Sequence, residues 1–132
     1  MKVKKPKIIL SSLDVERLEA LLENHVNPAL EAELERAKVV EPSKVPATTV
    51  TMNSTVRFRI EQTGEVFERT LVYPKNMDDP DSKISVLAPI GSALLGLSVG
   101  DSMPWPNSKG AQHSVIIDGI SFQPESAGQL HR

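Results

Sequence analysis

A chain of 132 residues with 39% hydrophobic residues, one Trp, one Tyr and three Phe can bury one small, mostly aliphatic core. Fifteen basic against seventeen acidic residues leave a formal charge of -2, which argues against a surface built to attract nucleic acid. The absence of cysteine excludes disulfides, thiolate metal sites and a cysteine nucleophile. The basic opening MKVKKPK is followed only by IIL, too short for a signal-peptide core or a membrane span, so a soluble cytoplasmic protein is expected.

The first predicted element is a helix starting after Ser11. Ser11 as cap, Asp14 three residues on, and a Leu10–Val15 staple would satisfy the free amides of the first turn. Val15, Leu18, Leu21 and Leu22 follow at helical spacing, and the stripe stops at Asn24-His25-Val26-Asn27-Pro28. Asn27 is placed to cap a second helix and Pro28 to occupy its first position, where no amide hydrogen is needed. Leu30, Leu34 and Ala37 carry its apolar face until Pro42. Two such helices, each of roughly 10–14 residues and about 15–21 Å long, predict an antiparallel hairpin over residues 1–41. Residues 42–49, with Pro42 and Pro46, read as a linker.

Beyond it the apolar period changes. Val56, Phe58 and Ile60 alternate with Thr55, Arg57, Arg59 and Glu61, a half-buried strand. The Thr63-Gly64 turn leads to a hairpin partner over Val66–Tyr73. An acidic loop follows, then a strand over Lys83–Leu87, a short helix from Pro89, a strand near Ser102–Trp105 and a last strand over His113–Phe122, irregular at Gly119. Residues 50–132 therefore form a small, mostly antiparallel sheet carrying one short helix, and the fold class is α+β. Arg57, Arg59 and Arg69 are expected to share the outer face of the first strand pair.

The stretch GSALLGLS has the glycine spacing of a phosphate-binding loop, but Leu97 stands where the essential lysine belongs. Only a short helix fits between Pro89 and Gly100, so the glycines read as turn residues, Gly96 as a left-handed cap. His25, His113 and His131 lack metal-ligand spacing, and Asp78, Asp79 and Asp81 lack the later glycine and glutamate of a calcium loop. No metal, cofactor or catalytic residue is expected, and no GxSxG elbow marks a nucleophile.

The helical hairpin, the short linker, TMNSTVRF, TLVYPKNM and ISVLAPIGSALLGLSVGD together resemble the regulator of nucleoside diphosphate kinase family, small bacterial relatives of the Gre transcript cleavage (elongation) factors. The likeness covers nearly the whole chain. Ile84–Asp101 is similar to the Gre pattern I-S-x-x-x-P-[IM]-x-x-[AG]-L-[IL]-x-x-x-x-x-D. The resemblance implies an N-terminal coiled coil, an FK506-binding-protein-like sheet domain and binding at the secondary channel of bacterial RNA polymerase. It places Ser85 and Pro89 at the polymerase contact, with Leu87 between them where cleavage factors often carry Asp or Asn. It further implies an influence on nucleoside diphosphate kinase levels. Competition with Gre-type factors is expected as well, as is a monomer without sequence-specific nucleic-acid or membrane binding.

The hairpin tip departs from the family of cleavage factors. They carry an acidic D-L-x-E-N signature that helps hold a catalytic magnesium ion, whereas this tip offers only Glu23 and, a turn further on, Glu31. Together with the short arms, that departure predicts a regulator without catalysis. The alternative is an FK506-binding-type prolyl isomerase or chaperone, whose pocket wants aromatic walls that this composition supplies poorly.

Overall fold

The computed structural model describes residues 7–106 and 112–129. A short strand, β1 (Ile9–Ser11), runs directly into helix α1 (Ser12–Leu22). Ser11 serves both: its backbone is extended, and its Oγ accepts from the Asp14 amide at 3.0 Å, capping the helix. Helix α2 (Pro28–Arg36) begins at Asn27, whose Oδ1 accepts from the Leu30 amide at 3.1 Å, with proline in the first turn. Their 11 and 9 residues give arms of roughly 16 and 13 Å.

After α2 the chain returns to its starting point. Strand β2 (Lys38–Val40) pairs in parallel with β1, Leu10 lying opposite Val39. The two helices act as the crossover that parallel pairing requires. At three residues each, neither strand has enough length to show a period, and the sequence reading placed none here.

The main sheet contains β3 (Thr55–Ile60), β4 (Val66–Val72), β5 (Lys83–Ser85), β6 (Ser102–Pro106) and β7 (Gln112–Phe122), in the order β5-β4-β3-β7-β6. Every pairing is antiparallel except β4 with β5. Val56, Phe58 and Ile60 are buried, as their alternation predicts, with Ile117 opposite Phe58 and Val115 opposite Ile60. Arg57 faces Gly119 and Phe58 faces Ile117, so Asp118 is the extra residue of a bulge at the predicted irregularity.

One expectation about this sheet fails. Arg69 lies opposite Val56, and directly opposed residues share a face, so it stands on the other side from Arg57 and Arg59. Its guanidinium sits 5.3 Å from the centroid of the Phe67 ring, which stacks on Phe58 at 5.6 Å. Strand alternation puts Arg69 on the face of Phe67 two residues earlier, and the cation–π contact follows from that placement. On the outer face Arg57 opposes Glu68, and Arg59 pairs with Asp118 at 3.4 Å.

Helix α3 (Pro89–Leu94) packs on the sheet and explains the paired glycines. A Cβ on Gly91 would collide with the Ser85 carbonyl oxygen, so Gly91 lets α3 lie close against the end of β5. Gly96 has φ 80, but α3 has already ended in an extended Leu95, and the Leu97 amide donates to the Leu94 carbonyl at 3.2 Å. Gly96 is therefore the third residue of a tight turn and not the expected helix cap; a Cβ there would lie 2.7 Å from the Ile8 Cβ. Its amide donates to the Val50 carbonyl at 2.9 Å and its carbonyl accepts from the Ile9 amide at 3.2 Å.

The hairpin lies on the sheet domain. Leu18 of α1 and Leu30 of α2 are fully buried in the same apolar cluster as Phe58, Leu71 and Leu94. Between the two parts, Pro42–Lys44 forms a single 3-10 turn and Val45 is buried. Gln123 Nε2 donates to the carbonyls of Pro46 and Thr49, each at 2.7 Å, tying the end of the linker to the segment that follows β7.

Gly96→Ala combines left-handed strain, about 1–2 kcal/mol, with overpacking against Ile8, about 1–3 kcal/mol. Urea unfolding should show a loss of roughly 2–5 kcal/mol. Gly64 also has positive φ but no atom within 4 Å of an added Cβ, so Gly64→Ala should cost only the strain. Equal losses at the two sites would disprove the packing role assigned to Gly96.

Candidate functional site

The sequence pattern singles out the turn that leaves β5. Val86 keeps the strand pairing for one more residue, its amide donating to the Val72 carbonyl at 2.9 Å. The chain then turns on Ser85. Its Oγ accepts from the Leu87 amide at 3.1 Å, and its carbonyl accepts from the Ala88 amide at 3.0 Å. A hydroxyl bonded to a backbone amide two residues on is a local turn device. Pro89 starts α3 and is exposed, and Ser92 Oγ donates to its carbonyl at 3.0 Å.

Leu87 does not continue the strand. If β5 ran on, residues 85 and 87 would share a face; the turn at Val86 breaks that alternation. Val86 is buried instead, and Leu87 is half-buried against the core. The Leu87 carbonyl accepts from Asn27 Nδ2 at 3.0 Å. Asn27 thus caps α2 through its oxygen and grips the turn through its nitrogen. Its capping role is readable from the sequence, but a contact spanning 60 residues has no local signal.

Leu87 and Pro89 border a cleft of about 300 Å³ together with Asn27, Glu33, Ala93 and Met103. Ser85 belongs to the same turn but does not line that cleft. Glu33, 3% exposed, pairs with Arg36 at 3.1 Å, and Arg36 Nη2 also approaches the Met103 sulfur at 3.7 Å. Burying a carboxylate demands such a partner. Helix α2 therefore forms one wall of the space beside the turn.

Glu23 and Glu31 lie elsewhere. They line a separate cleft between α1 and α2 with Glu19, Leu22, Leu34 and Glu35. Among the described residues no group of three or more His, Asp or Glu side chains is placed to hold a metal ion, and no helix is long and apolar enough to cross a membrane. In the acidic loop, Lys83 Nζ meets Asp78 Oδ1 at 2.8 Å, and that hydrogen bond holds the Asp78 carboxyl below its ordinary range.

A second polar cluster joins the hairpin to the sheet domain. Asp14, 2% exposed, accepts from the Met52 amide through Oδ2 at 3.1 Å. Burial pushes its carboxyl up to about 7; the Met52 amide and Arg17 oppose that shift, and Glu125 adds to it. Glu125 accepts from Thr51 Oγ1 at 2.7 Å. Tyr73 faces the same cluster, its phenol pushed upward by burial and then by the Asp14 charge. The Tyr73 hydroxyl is buried, and the Arg17 side chain beside it opposes that rise. The sequence offered Asp14 only as a first-turn acidic residue; its burial depends on Met52, Tyr73 and Glu125, all distant along the chain.

With this geometry in place, comparison with known proteins is informative. The family described as "Transcription elongation factor, GreA/GreB, C-term" matches residues 45–121, and "Rnk N-terminus" matches residues 6–40. The "Regulator of nucleoside diphosphate kinase" of Escherichia coli (strain K12) is 45% identical over 130 residues, covering 94% of this chain and 96% of that protein. The "Transcription elongation factor GreA" of Chlorobium phaeobacteroides is 34% identical over 101 residues, covering 76% of this chain and 63% of that one. Among solved structures, "Prokaryotic transcription elongation factor GreA/GreB from Nitrosomonas europaea" superimposes with a TM-score of 0.72 at 56% identity, over 89% of this chain and all of that one.

The raised carboxyl of Asp14 makes stability depend on pH in a defined direction. Its folded value lies above the ordinary 3.8, so its stabilising share is complete below about pH 4 and is lost as pH rises toward about 7. The slope from one proton is at most about 1.4 kcal/mol per pH unit. Asp14→Asn retains an acceptor for the Met52 amide and removes the charge. Melting curves from pH 4.5 to 7.5 should therefore fall less steeply in the variant than in the wild type. Parallel curves would refute the assignment.

Proposed function

Because the chain belongs to the regulator of nucleoside diphosphate kinase family and carries its GreA/GreB C-terminal domain, we propose that it is a non-catalytic cytoplasmic regulator of transcription. It docks on bacterial RNA polymerase at the secondary channel, competes there with Gre-type elongation factors, and influences nucleoside diphosphate kinase levels. The observation that carries this reading is the turn Ser85–Pro89. It is braced from inside by Ser85, Gly91 and Asn27, and it leaves Pro89 exposed beside a cleft. A rigid apolar knob costs little ordering entropy on binding, which suits a docking element. Ser85, Leu87 and Pro89 are the contact residues in this reading, with Ser85 acting mainly by shaping the turn.

The division follows the resemblance: residues 1–41 are the coiled-coil-like hairpin, 42–49 the linker, and 50–132 the FK506-binding-protein-like domain. Arms of 11 and 9 residues support occupation of a channel mouth over delivery of a carboxylate to a deep active centre. Metal-assisted cleavage needs ligands placed to within about half an ångström. Glu23 and Glu31 line a cleft on the hairpin's flank with two further glutamates, an arrangement of solvated helix carboxylates. The prolyl isomerase alternative finds no support among the relatives.

Pro89→Glu is the test suited to this geometry, since an acidic residue is favourable in the first turn of a helix and the position is exposed. Displacement of a labelled Gre factor from core polymerase should weaken at least tenfold, with the melting temperature nearly unchanged. Undiminished competition by the folded variant would move the docking surface away from this turn. In stalled elongation complexes the protein should produce no shortened transcripts. Cleavage that disappears on Glu23→Ala or Glu31→Ala would overturn the non-catalytic reading.

A further inference from the structure

A second apolar-walled cleft plays no part in that reading. It has a volume of about 440 Å³ and lies between α1 and the turn after β4, lined by Arg17, Leu21, His25, Tyr73, Pro74 and Lys75. Its size falls within the roughly 300–1,000 Å³ of small-molecule sites, and its walls are mainly apolar with a few polar groups, the usual composition of such sites. We propose that this cleft binds a small organic anion, a carboxylate or phosphate group carried on an apolar body.

Two observations converge on an anion. Arg17, His25 and Lys75 come from three separate segments, helix α1, the hairpin tip and the turn Pro74–Asn76, and meet around one space. No carboxylate lines that space, although the chain as a whole has a formal charge of -2. The Tyr73 ring forms part of the lining and contributes apolar surface. The contrast with the cleft between α1 and α2 sharpens the choice. There Glu19, Glu23, Glu31 and Glu35 surround Leu22 and Leu34, so the hairpin offers one acidic and one cation-rimmed cleft. The apolar body is assigned to Leu21, Pro74 and the Tyr73 ring, and the charged group to the rim.

An occupant of this cleft would touch α1, the hairpin tip and the sheet domain together, and so would fasten the hairpin to the sheet. The site is independent of the docking turn, since none of Ser85, Leu87 or Pro89 lines it.

The experiment uses the full-length, isotope-labelled protein with three probes: 1-naphthyl phosphate, 1-naphthoate and the neutral 1-naphthalenemethanol. Amide shifts should saturate with at least one anion and be confined to Arg17–His25 and Tyr73–Lys75. The neutral probe should bind at least tenfold more weakly, and comparison of the two anions identifies the preferred headgroup. Lys75→Glu and His25→Glu alter exposed side chains and leave the spectrum of the folded protein recognisable. Each should weaken anion binding at least fivefold, as should raising the salt from low to molar concentration. Shifts located elsewhere, equal binding of the neutral probe, anion binding unchanged in both variants, or no saturation by either anion at millimolar concentration would each overturn the proposal.

Discussion

The architecture depends on one backbone junction. At Gly96 the end of α3, the segment leading into the sheet domain and the first strand of the hairpin meet within hydrogen-bond distance, through Val50 on one side and Ile9 on the other. Only a residue free of a Cβ can hold φ 80 there while Ile8 presses against its α-carbon. The hairpin's base is thereby built into the sheet domain. Leu18 and Leu30 can then share a core with Phe58 and Leu71, which neither short helix could bury against the other alone.

Two polar pins complete what the junction begins. Asn27 holds the far end of the hairpin to the turn at Leu87, and Asp14 holds α1 to the Met52 amide. Their energetic characters differ. Asn27 is a neutral amide using both ends of its side chain, each bond contributing about 1 kcal/mol net. Asp14 is an acid whose charged form opposes its own burial, so its hold is conditional on the proton. The hairpin's attachment thus combines a constant contact at the tip with a pH-sensitive one at the base.

The same packing shapes the surface available to partners. Because α2 rests beside α3 and β6, the turn that carries Ser85, Leu87 and Pro89 is presented as the rim of a cleft. The half-buried Leu87 contributes its carbonyl to internal bonding, and the exposed Pro89 is left as the prominent apolar group. Charge is divided in a comparable way. Glutamates gather between the helices, whereas Arg17, His25 and Lys75 gather on the other flank of α1, a separation invisible in a nearly neutral composition.

Features set by neighbours in the chain were readable without the structure. Ser11 and Asn27 cap the helices because their side chains reach amides three residues away. Val56, Phe58 and Ile60 define β3 because a strand alternates its faces. Gly96 serves a turn because glycine adopts positive φ freely, and the run Ile84–Asp101 carried enough of its pattern to point to the family. Other features required residues far apart in sequence to meet. The β1–β2 pair exists because the crossover returns Lys38 beside Ile9. Arg69 lies on the buried side because the β3–β4 register sets it opposite Val56, and Leu87 leaves the strand where Ser85 captures its amide and the distant Asn27 takes its carbonyl. Asp14 becomes a buried acid only once Met52, Tyr73 and Glu125 close around it. Caps, alternation and turns are local energies that a short window of sequence contains, whereas burial and the field at a side chain belong to the whole packed molecule, and only the tertiary structure decides them.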